Sequence, residues 1–233
     1  MIYHITYIMS NFGINLYYVT VATKPHPVLE KIIERVKEQN EQIIIMGLKE
    51  NRKIGWEGTA NFGVKLREMK DFLFQPNIRP QDIVLFTDAY DVVYGGSQME
   101  VLKRFIELDK PIFFGCESQC HPDERESSKY PDRTMEFPYL NSGMFIGYAW
   151  ALRHCLINYE YNDADDDQRY WTKKYFQYPL LFGLDYENLL FLNTEDMNWD
   201  EFSWKNQTAT YKNRNPIFVH INGPDKNKIN ELL

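Results

Sequence analysis

"IVLFTDAYDVVYGG", residues 83–96, is an apolar strand pattern that ends in carboxylates. Its first residues lead directly into Asp88, and a second aspartate follows at Asp91. Carboxylates at the end of a buried strand lose solvation unless a partner compensates them. A divalent cation such as Mg²⁺ or Mn²⁺ binds oxygen ligands and leaves positions open for substrate phosphates. Because aspartate is also common in turns, the pair indicates a metal site only when other features support it.

The segments around this stretch predict an α/β fold. Apolar runs that are typical of buried strands alternate with helical patterns, which begin near Pro27 and after Ser97. This alternation indicates a mostly parallel sheet with crossover helices, in which ligands bind beyond the carboxyl ends of the strands. The predicted strands are residues 16–24, 42–47 and 82–88, and a further predicted helix covers 64–74.

Two of these patterns lead to more specific expectations. The run at 42–47 is continuously apolar and ends in glycine, which predicts a strand buried on both faces. In the second half, 110–117 and 139–149 read as strands, and a helix is expected to start near Ala149. No linker or internal repeat is visible, which predicts a single domain over residues 1–233.

Composition excludes some classes of function. The net charge is −7 and no basic block occurs, which argues against nucleic-acid binding. No run of about 18 apolar residues is present, so no membrane span is expected. The three cysteines, Cys116, Cys120 and Cys155, have no zinc-site spacing, and Cys116 is expected to be a buried small hydrophobe.

Two later stretches add candidate functional residues. "FVHINGPDK", residues 218–226, is an apolar strand that ends in His220 and continues through a Gly-Pro turn to Lys226. The imidazole could be a third metal ligand, although a lone strand-end histidine is more often structural. "YNDADDDQRYW", residues 161–171, holds four aspartates. A helix N-terminus favours one or two of them, and the others need a cation, an acceptor amine or a catalytic role.

Six blocks in this chain occur in an order that resembles a known family. They are "YYVTVATK", "IVLFTDAYDVVYGGS", "FFGCESQCHP", "YLNSGMFIGYA", "DADDDQRYWTKKY" and "VHINGPDK". Together they resemble the glycosyltransferase domain of the procollagen lysyl hydroxylase/glycosyltransferase family. The resemblance implies a GT-A fold, with a Rossmann-like, mostly parallel sheet and flanking helices. It divides the domain into a nucleotide-binding half, about 14–115, and an acceptor half with a metal-binding C-terminal segment, about 116–226.

The activity that the resemblance implies is a retaining, Mn²⁺-dependent transfer of glucose from UDP-glucose. The acceptor is galactosyl-hydroxylysine of collagen or a collagen-like protein. Asp88, Asp91 and His220 resemble the family's metal ligands, and Tyr90 resembles the tyrosine that stacks on uracil. The other positions that the resemblance assigns to the nucleotide sugar are Thr20, Thr23, Trp56, Lys65, Gly223 and Lys226.

The resemblance also covers the transfer step. Glu117 and Asn141 look like residues that line the sugar site, and Asp166 and Asp167 match aspartates that serve acceptor binding and transfer. Retention is compatible with a covalent intermediate on Asp166 or Asp167, or with attack from the face that the diphosphate leaves. The sequence leaves both routes open.

The chain departs from the family pattern in three places. His121 stands where the family has tryptophan, Ala164 interrupts the acidic run, and the glycine-rich stretch before Lys65 is thinned to "TANFGVK". These departures keep two alternatives open: a hydroxylysine galactosyltransferase that uses UDP-galactose, or a non-catalytic module that binds the nucleotide sugar and collagen.

The sequence also carries expectations about context. The chain stops soon after Lys226, so we expect no hydroxylase domain and no lysine hydroxylation. The N-terminus lacks the basic region of a signal peptide. We therefore expect a cytoplasmic protein, or one in the host cell or virion if it is viral, in preference to the endoplasmic reticulum. A stand-alone domain would suit a virus that encodes collagen-like proteins.

Overall fold

The computed structural model of the protein describes residues 13–55 and 61–233. The first half contains these elements in chain order: β1 (Leu16–Val21), α1 (Pro27–Glu38), β2 (Ile44–Met46), α2 (Gly63–Leu73), β3 (Ile83–Asp88), β4 (Val92–Tyr94) and α3 (Gln98–Glu107). The second half contains β5 (Ile112–Glu117), β6 (Tyr139–Tyr148), α4 (Ala149–Leu156), α5 (Asp167–Gln177), β7 (Phe182–Leu184), β8 (Phe191–Asn193), β9 (Phe202–Lys205), β10 (Thr208–Tyr211), β11 (Phe218–His220) and α6 (Ile229–Leu232).

A six-stranded sheet forms the centre of the protein, in the order β2-β1-β3-β6-β5-β7. Strand β1 is parallel to β2 and β3, and β5 is parallel to β7, whereas β6 is antiparallel to both of its neighbours. Strands β3 and β5 therefore run in the same direction, and their carboxyl ends lie at the same edge. The predicted α/β class with a mostly parallel sheet is confirmed.

A smaller sheet, in the order β4-β11-β8, continues from this edge. Strand β11 lies between the other two, antiparallel to β4 and parallel to β8. Its last residue, His220, is opposite Val92 on one side and Asn193 on the other. Because β4 begins one residue after Asp91, this pairing brings the end of β11 next to the end of β3.

Local sequence signals explain why the helices begin where they do. Pro27 is the first residue of α1, and the His26 side chain accepts a hydrogen bond from the Val28 N–H. Ser97 caps α3, since its hydroxyl oxygen accepts from the Glu100 N–H at 3.2 Å. Both helices bury one apolar face against the sheet. The predicted helix starts near Pro27 and after Ser97 are confirmed.

One prediction about the sheet was wrong. The run at 42–47 was expected to be a strand buried on both faces, but β2 lies at the edge of the sheet and pairs only with β1. Ile44 is 38% exposed as a result. A continuous apolar run indicates that a strand is buried. Whether the strand lies at the centre or the edge of the sheet depends on the chain topology, which cannot be read from the local sequence.

Aromatic packing anchors the second half of the chain on the central sheet. The Phe114 ring lies 4.7 Å from that of Phe145 and 5.4 Å from that of Trp171, measured between centroids. These contacts hold α5 on the central sheet, and so fix the position of its N-terminus.

Cys116 is a fully buried free thiol, as expected. Across residues 13–55 and 61–233, none of the helices has the length and apolarity that a bilayer crossing requires.

Candidate active site

Three predicted metal ligands converge at the edge where the two sheets meet. Asp88 ends β3, Asp91 lies in the turn before β4, and His220 ends β11. One ligand atom from each lies within 4.8 Å of the other two. The His220 Nε2 atom is 3.3 Å from Asp91 Oδ1 and 4.0 Å from Asp88 Oδ2. Two carboxylates and an imidazole that face one point form a donor set that could hold a divalent metal ion.

Positive charges compensate these carboxylates. The Lys226 Nζ atom is 3.0 Å from Asp91 Oδ2, and His220 faces Asp91 from the other side. Burial opposes ionisation of Asp91, but the positive charges of His220 and Lys226 outweigh it and hold its pKa below the ordinary value. Burial likewise opposes charge on His220, and the carboxylate of Asp91 nevertheless raises the pKa of the imidazole. The site therefore holds balanced, closely spaced charges.

Lys65 connects this group to the acidic run. It lies in the first turn of α2, and its Nζ atom is 2.7 Å from Asp88 Oδ1 and 3.4 Å from Asp167 Oδ2. Burial disfavours the ammonium ion, but Asp167 and Asp88 outweigh that effect and raise the pKa of Lys65. The Ser142 hydroxyl donates to Asp167 Oδ2 at 3.0 Å. Burial raises the pKa of Asp167.

Glu117, at the end of β5, is the centre of an amide network. Its Oε2 atom accepts from Asn141 Nδ2 at 2.7 Å and from Asn222 Nδ2 at 2.9 Å, and its Oε1 atom accepts from Gln168 Nε2. The Glu117 residue is only 2% exposed. Burial raises its pKa to about 8, although hydrogen bonds from Asn141 and Gln168 act in the opposite direction. The network joins β5, β6, α5 and the turn after β11.

All of these groups face one cavity of about 710 Å³. This volume falls within the range of small-molecule sites, which is about 300–1,000 Å³. The predicted site residues among those that line it are Lys65, Asp88, Tyr90, Asp91, Glu117, Asn141, Asp167, His220, Gly223 and Lys226. The cavity is also lined by His121 and Glu195, whose Nε2 and Oε1 atoms are 3.6 Å apart.

The remaining predicted residues lie around this cavity or elsewhere. The Thr20 hydroxyl is buried and donates to the Thr87 carbonyl at 2.7 Å. The Thr23 N–H donates to the Tyr90 hydroxyl oxygen at 2.7 Å and so orients that ring. Asp166 caps α5, where its Oδ1 atom accepts from the Arg169 N–H at 2.7 Å. Trp56 lies outside the described residues.

The acidic run divides between two structural environments. Asp163 is not among the described residues that line the cavity, and it accepts two hydrogen bonds from Arg52, at 2.7 and 2.5 Å. The Arg52 guanidinium holds the pKa of Asp163 at about 2. Asp166 and Asp167 instead stand at the start of α5, so a helix N-terminus accounts for these two members of the run.

Comparisons with known proteins identify the family. The model of one protein family, the PLOD GT domain, matches residues 13–233. The chain belongs to the PLOD GT domain family. It is 32% identical to mouse "Procollagen-lysine,2-oxoglutarate 5-dioxygenase 1" over 229 residues, which cover 94% of this chain and 31% of that protein. This membership, with the sheet described above, confirms the predicted GT-A fold.

Two further relatives of this PLOD GT domain carry names that describe two activities. The human "Multifunctional procollagen lysine hydroxylase and glycosyltransferase LH3" is 31% identical, with 92% of this chain and 30% of that protein covered. The Caenorhabditis elegans "Multifunctional procollagen lysine hydroxylase and glycosyltransferase" is 32% identical, with 92% and 31% covered. The chain thus spans about three tenths of the length of these curated relatives.

Several polar residues of this PLOD GT domain site were not predicted. Asn193 contacts His220, Asn222 and Gln168 bind Glu117, and Ser142 binds Asp167. Asn193 follows the apolar run "LLFL", and Asn222 follows "FVHI", in which His220 is the one polar residue. A search for amides after predicted strands would have found both. Gln168 and Ser142 have no comparable signal, because only the packing of α5 against β6 brings them to the site.

Proposed function

We propose that this protein transfers glucose from UDP-glucose to galactosyl-hydroxylysine of collagen or a collagen-like protein. The observation that carries the proposal is the convergence of Asp88, Asp91 and His220 in the same cavity as Lys65 and Asp167. Family membership supports the glycosyltransferase class and a collagen-type acceptor. The proposed transfer requires Mn²⁺ and retains the anomeric configuration of the glucose.

Mn²⁺ is the proposed metal, and the donor set fits it. Asp88, Asp91 and His220 would hold the ion, since carboxylate oxygen and imidazole nitrogen are ligands that Mn²⁺ accepts. When bound, the ion supplies charge stabilisation for a departing diphosphate. Lys226 and the Gly223 turn line the same cavity and are proposed to contact the diphosphate. Gly223 has φ of +76°, a conformation that glycine adopts without strain.

The proposed nucleotide site lies along the first half of the chain. The Tyr90 hydroxyl is held by the N–H groups of Thr23 and Lys24, at 2.7 and 3.0 Å, which orients the ring as a surface on which uracil can stack. Thr20 supports this strand end from the core through its bond to Thr87. Trp56 remains a predicted donor contact.

The proposed transfer breaks the bond between the anomeric carbon and the diphosphate oxygen, and forms a bond from that carbon to the acceptor hydroxyl oxygen. The proton of the acceptor hydroxyl passes to the diphosphate, which departs as UDP. Asp167 lines the cavity, whereas Asp166 caps α5, which favours Asp167 as the carboxylate that acts at the sugar. Two routes would retain the anomeric configuration: double displacement with Asp167 as the nucleophile, or attack from the face that the diphosphate leaves. In either route Asp167 is proposed to lie beside the anomeric carbon. Glu117 and Asn141 are proposed to shape the sugar site.

A second candidate is a galactosyltransferase that uses UDP-galactose and a free hydroxylysine acceptor. It is favoured by His121, which lines the cavity where the family pattern has tryptophan and lies 3.6 Å from Glu195. A polar pair at this position would favour a different acceptor from an aromatic ring. A third candidate is a module that binds the nucleotide sugar without turnover.

One experiment separates these candidates. UDP release is measured with UDP-glucose or UDP-galactose, with galactosyl-hydroxylysine or hydroxylysine peptides, and with Mn²⁺ omitted and restored. The main proposal expects release that needs Mn²⁺, UDP-glucose and the galactosylated peptide, and that is lost in Asp88→Ala. Preference for UDP-galactose and the bare peptide would establish the second candidate. UDP binding by calorimetry without product would establish the third.

A further inference from the structure

We propose that Asn193 is a positioning residue that fixes the His220 ring with its proton on Nδ1 and the lone pair of Nε2 towards Asp88 and Asp91. The metal part of this inference rests on the function proposed above. The ring orientation itself follows from hydrogen bonds within the protein.

Asn193 is the last residue of β8 and is fully buried. Both ends of its amide are bound: Nδ2 donates to the Cys116 carbonyl at 2.8 Å, and Oδ1 lies 2.8 Å from His220 Nδ1. A buried amide is costly unless its donor and acceptor are both satisfied. This residue is therefore held in one orientation by two fixed partners.

The Cys116 carbonyl determines which way the amide points. A carbonyl oxygen can only accept, so the NH₂ group must face it. The reversed amide would place two oxygens against each other and leave a buried donor and a buried acceptor unsatisfied, which is unfavourable. The Asn193 oxygen must then face His220, and it accepts a hydrogen bond from the ring.

The proton on the ring follows from this orientation. Because Asn193 Oδ1 is an acceptor, His220 Nδ1 carries the hydrogen. In the neutral imidazole the other nitrogen, Nε2, is then unprotonated. That nitrogen is the one that lies 3.3 Å from Asp91 Oδ1 and 4.0 Å from Asp88 Oδ2. The lone pair therefore points to the place where the two carboxylates meet.

The backbone around the ring supports the same arrangement. Asn193 and His220 are register partners in the parallel pair of β8 and β11. A Cβ atom on Gly115 would lie 3.0 Å from Asn193 Nδ2, and one on Gly143 would lie 2.5 Å from His220 Cε1. Glycine at these positions leaves the space that the amide and the ring occupy. Asn193 acts through His220, since it is not among the described residues that line the cavity.

The direct test reads the ring nitrogens. Wild-type protein with ¹⁵N-labelled histidine, free of metal and at a pH where the imidazole is neutral, is examined by long-range ¹H–¹⁵N NMR. We expect His220 to show a protonated Nδ1 and an unprotonated Nε2, and His220→Gln assigns the signals. In Asn193→Leu we expect a mixture of tautomers. A wild-type ring protonated on Nε2 would overturn the inference.

The second test measures the effect on metal binding, with Mn²⁺ alone as the probe and the signal of free Mn²⁺ in electron paramagnetic resonance as the readout. Loss of such an orienting partner typically weakens metal affinity about 10–100-fold, and we expect this in Asn193→Leu. Asn193→Asp keeps an acceptor for the Nδ1 proton but loses the donor to the Cys116 carbonyl, so its affinity should fall below wild type and by less than that of Asn193→Leu. Equal affinity in wild type and a folded Asn193→Leu would contradict the inference.

A matched control lies at the next position. Thr194 is buried, and its hydroxyl makes no hydrogen bond within the part of the chain that the structure describes. Thr194→Val therefore changes the same strand end without touching the ring, and should bind Mn²⁺ as wild type does. If the wild type bound no Mn²⁺, the proposed metal site would fail, while the NMR result would still decide the ring orientation. The NMR result on wild type also decides it if Asn193→Leu does not fold.

Discussion

The ammonium group of Lys65 lies 2.7 Å from Asp88 Oδ1, and thus bridges a helix of the first half to a candidate metal ligand. The same group is 3.4 Å from Asp167 at the start of α5. Lys65 therefore stabilises three closely spaced acidic groups when no metal is bound, because Asp91 lies beside Asp88. A cation at Asp88 would compete with this ammonium for the same carboxylate.

This competition gives the first prediction. Lys65→Met removes the positive charge that lies between Asp88 and the buried Asp167, so the metal-free protein should lose about 3–5 kcal/mol in its free energy of unfolding. Mn²⁺ should then raise the melting temperature of Lys65→Met more than that of wild type. Thermal unfolding with and without Mn²⁺ measures both. Lys37→Met, an exposed position on α1, is the control. An equal rise in both proteins would show that the ammonium and the metal do not compete.

The Arg52–Asp163 ion pair gives the second prediction. Residues 53–55, which follow Arg52, line the cavity, and the pair ties this segment to the loop before α5. In Asp163→Asn we expect a KM for the nucleotide sugar up to about fivefold higher, with kcat little changed, because a partly exposed pair contributes up to about 1 kcal/mol.

Steady-state kinetics at low and high salt checks this second prediction, since salt screens exposed charges. Glu187→Gln is the matched control, because it removes a similarly exposed pair with Arg214 that does not contribute to the cavity lining. An unchanged KM in Asp163→Asn, or an equal rise in Glu187→Gln, would refute the role of Asp163 at the donor site.

The third prediction concerns pH and Glu117. Burial raises the pKa of Glu117 from 4.5 to about 8, so between these values the folded protein binds a proton that the unfolded chain has released. The contribution to stability is fully present below pH 4.5 and is lost as pH rises towards 8, by about 1.4 kcal/mol for each unit of pKa difference. Glu117→Gln should unfold more easily at low pH and show a flatter decline from pH 5 to 8. Denaturant unfolding at several pH values measures this, and parallel curves would contradict it.

The fourth prediction concerns Gly143. An added Cβ would lie 2.5 Å from His220 Cε1, so Gly143→Ala should displace the ring and weaken Mn²⁺ binding by at least about tenfold, the lower end of the loss seen when a ligand's orienting partner is removed. Gly147→Ala on the same strand is the control, since its Cβ would contact Pro111 and Ile112 instead of His220. Titration with Mn²⁺ compares the two. Similar affinities would show that the ring tolerates the methyl group.

Local sequence was enough to predict the strands whose ends carry the candidate metal ligands. An apolar run precedes each of Asp88, Asp91 and His220. This pattern indicates that their side chains lie at the ends of buried strands. The resemblance added the expectation that these distant segments meet. The exposed position of β2 and the antiparallel direction of β6 could not be predicted, because both depend on how loops connect the strands.

The amide residues of the site show the same limit. Asn193 reaches His220 because β8 and β11 pair in register, although the two residues are 27 positions apart. The acidic run was treated as one functional group, yet Asp163 pairs with Arg52, 111 positions away, while Asp167 faces Lys65. Residues that are close in sequence can point to different parts of the protein near the start of a helix. Only the tertiary structure shows which partner each aspartate contacts.

The insertion of β11 between β4 and β8 has a consequence for biosynthesis. A ribosome makes the two aspartates early and the histidine more than a hundred residues later, so the nascent chain carries β4 and β8 without the strand that joins them. Until β11 emerges, β4 and β8 each have an unpaired edge, and His220 is missing from the candidate metal site. The three candidate ligands therefore come together only after residue 220 has been made, and termination before residue 218 would leave β4 and β8 with exposed edges that favour aggregation.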